Sequence, residues 1–157
     1  MKTLMRFVVA VAVVFAGSAM AQSANDTNME ILKQKIKADK KLLVAGNMDL
    51  SEDEAKQFWP LYDSYQKELE QLNQKLGKTI TEYAEAFNKG SVPNDTAKKL
   101  MGEVLNVEEQ EVKLKRSYAE KVGKVLPAMK AARYIQIENK IRALVKVELA
   151  QAIPLVY

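Results

Sequence analysis

Residues 51–89, "SEDEAKQFWPLYDSYQKELEQLNQKLGKTITEYAEAFNK", decide the fold. Phe58, Tyr62, Tyr65, Leu69, Leu72, Leu76, Ile80, Tyr83 and Phe87 run from 58 to 87 in eight steps. That is about 3.6 residues each, the period of a straight α-helix with one apolar face. Ser51 and Glu54 stand three apart at its start, the spacing of a capping box, and "NKGSVPND" (88–95) closes it with Gly90 and Pro93. About 38 residues at 1.5 Å each give a helix near 57 Å long. An element of that length requires the next one to fold back along it as an antiparallel hairpin.

Working outward, the rest of the chain is built of the same helix formers, Ala, Leu, Glu, Lys and Gln. Thr27 and Glu30 open an earlier helix whose apolar positions are Met29, Leu32, Ile36 and Leu43, with Gly46 as its expected stop. Asn94 or Asp95 is expected to cap a third helix, striped by Ala97, Leu100, Val104, Val107, Leu114, Tyr118, Val122 and Val125. Glu111 falls in that seam, and we read it as an edge carboxylate paired with a lysine. The last helix runs from about Pro127 to Ala152, with Tyr134, Ile137, Ile141 and Leu144 inward and Pro154 as its stop.

Acid precedes base at i,i+4 in Glu52–Lys56, Asp63–Lys67, Glu85–Lys89, Asp95–Lys99, Glu109–Lys113, Glu111–Lys115, Glu120–Lys124 and Glu138–Arg142. Each pair contributes only about 0.2–0.5 kcal/mol, but their common polarity favours helices. The expected fold is all-α, a long antiparallel hairpin with short flanking helices. Its surplus apolar surface points to a homodimer.

The N-terminus reads as an export signal. Lys2 and Arg6 precede the apolar run "FVVAVAVVFAG", and "AMA" ends at Ala21 with cleavage expected before Gln22. The run is too short for the roughly 20 apolar residues of a membrane span, so no membrane anchor is expected. Cleavage after residue 21 leaves one domain, 22–157, and lowers the net charge from +4 to +2 as Lys2 and Arg6 leave. That offers little electrostatic attraction for nucleic acid.

The chain has no cysteine and no histidine. Packing alone must therefore hold the fold, and the commonest general base and the commonest transition-metal ligand are both missing. No phosphate loop, nucleophile elbow or Glu-x-x-His pair is present, so we expect neither an enzyme nor a cofactor. Met29, Met48, Met101 and Met129 form no Met-x-x-Met cluster, and we read them as gap-fillers in a core rather than soft-metal ligands. They leave a metal-responsive protein as the alternative function.

"LSEDEAKQFW" (50–59) and "LPAMKAARYI" (126–135) match as two copies of one pattern at helix starts. Each reads Leu, Ser or Pro, two variable residues, a charged residue, Ala, two more, an aromatic and a large apolar residue. The matched positions are Leu50 with Leu126, Ser51 with Pro127, Glu54 with Lys130, and Phe58 with Tyr134, with Trp59 and Pro60 following the first aromatic.

On these residues the chain resembles the periplasmic Spy/CpxP-like proteins, whose mark is Leu-Thr-x-x-Gln, usually in two copies. Here Ser or Pro replaces the threonine, and Glu or Lys the glutamine. The chain is similar also to exported helical proteins of proteobacteria carrying "EAxxFWPLY" and "RYxQIENK". The resemblance spans roughly residues 30–150. It implies a bent helical hairpin that dimerises into a shallow cradle, ATP-independent chaperoning or envelope-stress signalling, and metal sensing in some branches. The implied partners are unfolded or misfolded envelope proteins, or a sensor protein.

Pro60 removes a backbone donor and crowds the carbonyl four residues earlier, so a kink is expected there, with 51–59 as a short arm. Phe58, Trp59, Tyr62 and Tyr65 then fill the elbow as scaffold rather than as a ligand box. Lys33, Lys37, Lys40 and Lys41 are the candidate client-binding cations, with a merely solvated basic face as the competing account.

Overall fold

The computed structural model describes residues 38–156, and every regular element among them is an α-helix. Residues 38–48 are helical (α1), followed by α2 at Glu52–Asn88, α3 at Asn94–Gly123 and α4 at Ala128–Ala152. The export signal with its Ala21–Gln22 cleavage point, the Thr27 cap, Met29, Leu32, Ile36, Lys33 and Lys37 lie outside the described residues.

The 37 residues of α2 span about 55 Å. Its start carries both halves of the expected capping box. The Ser51 hydroxyl accepts from the Glu54 N–H at 3.3 Å, and the Glu54 carboxylate accepts from the Ser51 N–H at 2.8 Å. Glu52, Asp53 and Glu54 place three acids at the positive end of the helix dipole. The helix runs on through Pro60, which faces solvent, so the Lys56 carbonyl left without a helical donor lies on the wet side. It ends at Asn88, and Gly90 turns the chain with φ at +108°, a conformation that favours glycine.

The cap expected at Asn94 or Asp95 is corrected by the structure. Asn94 is already helical, Pro93 is the cap, and no side chain bonds the first turn. The fixed φ of Pro93 pre-sets its carbonyl to accept from Ala97 N–H at 2.8 Å. Pro127 opens α4 in the same way, accepting from Ala131 N–H at 3.0 Å.

The hairpin of α2 and α3 is antiparallel. Tyr118 donates to Glu68 at 2.5 Å towards its open end, Lys75 to Gln110 at 2.9 Å midway, and Lys99 to Glu82 at 2.6 Å near the turn. α4 folds back along this hairpin, parallel to α2. Gln66 bonds Glu138, Arg142 bonds Asn73, and the Tyr83 hydroxyl donates to the Pro154 carbonyl at 2.9 Å, fixing the end of α4.

The core is thickest where all four helices meet. There Val44, Met48, Phe58, Tyr62, Tyr65, Tyr118, Val122, Leu126, Ala131 and Tyr134 form one buried cluster. Burial of each large side chain contributes roughly 1.5–3 kcal/mol. Towards the hairpin turn the core narrows to Leu72, Ile80, Ala84, Leu100, Val107 and Leu149.

Several expectations about individual residues are overturned. α1 passes through Gly46 and stops at Met48, because Asp49 supplies the left-handed residue (φ +46°) that ends it. Leu43 is half exposed, and Val44 and Met48 carry the inward face instead. On α4, Leu144 is 69% exposed, since Glu138 and Leu149 take the inward positions around it. The methionines divide: Met48 fills the core as expected, whereas Met101 and Met129 are exposed.

Candidate functional site

The two sequence copies pack against each other, matched position to matched position. Lys130, fifth in the second copy, donates to the carboxylate of Glu54, fifth in the first, at 2.7 Å across 76 residues of chain. Phe58 and Tyr134, the matched aromatics, meet edge to face with ring centroids 5.0 Å apart. Leu126 is buried in the same cluster that Leu50 packs against. Lys130 donates also to the Asp49 carbonyl at 2.6 Å, which ties the α1–α2 turn to the start of α4. The Lys130 hydrogen bond, helped by that of the Ser51 N–H, holds the Glu54 carboxyl below the usual carboxylate range.

Trp59 packs edge to face on Phe58 at 5.0 Å and on Tyr62 at 5.3 Å, half-buried against the aromatic cluster. The Lys41 ammonium caps it, 5.2 Å from the Trp59 ring and 5.6 Å from that of Tyr62, while bonding Asp63 at 2.7 Å. Lys40 turns inward to Gln66 at 2.7 Å and to the buried Glu138 at 2.9 Å. Neither lysine projects freely. Both fasten α1 to the bundle, a role their sequence neighbourhood of four lysines did not suggest.

Glu138 and Glu111 are the buried carboxylates. The lysine expected beside Glu111, Lys115, pairs with it at 3.8 Å, and Arg142 is its nearer partner, through Nη2 and through Nε at 2.8 Å. Arg142 spans to Asn73 at 2.9 Å, so this ionic contact links α2, α3 and α4. Glu138, expected to pair with Arg142 one turn on, bonds Lys40 and Gln66 instead, and its place four residues beyond Tyr134 marks its inward position in the sequence. Among the charge pairs expected along single helices, Glu109–Lys113 and Glu111–Lys115 close. Others are replaced by contacts between helices, as when Lys99 chooses Glu82 and Arg142 chooses Glu111.

The arrangement is a clasp. Its charges are matched and its rings interlock. Among the described residues no three His, Cys, Asp or Glu side chains converge to hold a metal ion, and no helix is long and apolar enough to cross a membrane.

Apart from Met129, exposed apolar side chains lie mostly away from the clasp. On α4, Ile137, Ile141, Leu144 and Val147 recur along one side, and the last two are 69% and 52% exposed. Arg133 and Lys140 flank them, both exposed. On α3, Met101, Leu105 and Val112 are exposed to similar degree.

The chain is thus an all-α protein of long antiparallel helices closed by an internal pair of matched helix starts. Comparison with protein-family models, curated proteins and solved structures finds no match.

Proposed function

We propose that this is an exported periplasmic binding protein of Spy/CpxP-like type. It acts as a homodimer that holds unfolded or misfolded envelope proteins without ATP, or that serves as an envelope-stress adaptor. The observation that carries the reading is the α4 strip, with Leu144 and Val147 exposed beside Arg133 and Lys140. A non-native chain offers scattered apolar groups with acidic ones, and such a strip meets both. Supporting it are the signal pattern before Gln22, the matched two-copy motif, and the absence of histidine and cysteine from the whole chain.

The test is suppression of aggregation. Purified protein at near-stoichiometric ratio should slow aggregation of a reduced or heat-unfolded client with no nucleotide present. Added salt should weaken the effect without abolishing it, because exposed charges are screened beyond about 10 Å at 0.1 M whereas apolar burial persists. A chelator should change nothing. If several chemically different clients aggregate unhindered at about twofold excess of the protein, the holding function is wrong.

A further inference from the structure

α3 touches α2 on one side, through Gln110, Glu103 and Lys99, and α4 on another, through Glu111 and Glu108. Its third side is open. At 100° per residue, Lys98, Gly102, Leu105 and Glu109 fall on one narrow stripe of that open side, bordered by Met101 and Val112. All six are exposed. A solvent-facing stripe is ordinarily polar, yet Met101, Leu105 and Val112 are each 58–60% exposed.

Gly102 is as hard to account for within one chain. It sits inside α3, where glycine costs about 1 kcal/mol relative to alanine. A side chain there would meet nothing within 4 Å, so no internal contact requires its small size. A bare position beside exposed leucine and methionine is what close approach of another helix needs.

The stripe is also its own complement. Read in the reverse direction it places Lys98 opposite Glu109 and Gly102 opposite Leu105. We propose that two copies of this chain pair through this stripe, α3 against α3 and antiparallel, about a twofold axis near residues 103 and 104. Leu105 of each copy seats on Gly102 of the other, and Lys98 of each bridges the other's Glu109. Glu109 already pairs with Lys113 at 2.5 Å, but both side chains are well exposed, and exchanging one surface partner for another costs little. The pairing rests on the dimeric reading above and assigns it a face. One helix pair of this length lies at the small end of stable interfaces, so association in the micromolar range is expected.

Sedimentation of the purified protein over a concentration series tests this. The native chain should dimerise, and Leu105→Glu should be monomeric with unchanged helical circular dichroism. Lys98→Glu and Glu109→Lys should each weaken the dimer by about tenfold, and the double variant K98E/E109K should return it to near the native value, since both bridges re-form with reversed sign. Leu144→Lys, on the α4 strip, should leave the dimer intact. A dimer insensitive to Leu105→Glu, a double variant no better than the singles, or a dimer dissociated by Leu144→Lys would each overturn the α3 pairing while leaving the dimer itself standing. A chain monomeric throughout overturns both.

Discussion

Tyr134 is enclosed by Phe58, Tyr62 and Tyr65, and its hydroxyl is buried without a hydrogen-bond partner. The nearby Gln66 directs its amide nitrogen to Glu138 and accepts from Lys40 at its oxygen. An unpaired buried polar group of this kind costs about 1–3 kcal/mol, whereas the ring itself fills the clasp. Tyr134→Phe keeps the ring and removes the orphan. It should raise the midpoint of urea unfolding by an amount worth about 1 kcal/mol. An equal loss of stability would instead show that the hydroxyl is bonded in solution. Other residues of the clasp were open to reading in advance. Ser51, Glu54, Phe58 and Lys130 stood at matched places in two copies, so their importance was visible even though their mutual contact was not. Asp49 was invisible: its left-handed backbone is secured by a lysine 81 residues away, and no local pattern announces such a contact.

Among the elements, α2 was the most legible, because a long stripe of one period, a capping box and a glycine turn all agree. α1 and α4 were read less well for a common reason. In short or evenly apolar helices several faces look alike, and tertiary partners choose among them: Val44 over Leu43, and Glu138 over Leu144. The charge pairs went the same way, with partners across helices displacing those one turn along.

Pro60 belongs at this scale. The first turns of α2 are fastened on three sides, by Lys130 on Glu54, by Tyr134 on Phe58, and by the Val44 and Met48 side chains of α1. Pro60→Ala restores a backbone donor and would favour a free helix by about 3 kcal/mol. Because these contacts hold the arm in place, we expect the substitution to lower stability and shift Trp59 fluorescence. A gain near the full helix preference, with emission unchanged, would mean that the arm follows the helix and that the proline sets nothing.

For the whole molecule, the meeting of four helices in one aromatic cluster has a consequence at high pH. Burial, then the charge of Glu138, raises the phenol groups of Tyr62, Tyr65 and Tyr134. Burial, then the hydrogen bond to Glu68, pushes Tyr118 up to about 12. The folded state thus favours the protonated phenols. The stability they contribute is complete below the ordinary tyrosine value of 10.0 and is lost as pH rises through the raised values. Phenolate absorbance from these tyrosines should therefore appear together with loss of helical circular dichroism. Titration of all of them near the ordinary value, with the helices intact, would contradict the packing described.

Function at this scale comes down to whether the exposed face of α4 holds non-native chains. The most direct measurement compares the native protein with the double variant Leu144→Lys, Val147→Lys in suppressing aggregation of one reduced client, at equal concentration and without nucleotide. Both positions are exposed, so the variant should keep its helical spectrum and its dimer. The native protein should suppress aggregation near stoichiometry and the variant should need about tenfold more, as expected when two apolar contacts worth about 1.4 kcal/mol together are replaced by solvated charge. Equal suppression by the two proteins would contradict the assignment of α4, and no suppression by either would contradict the holding function itself.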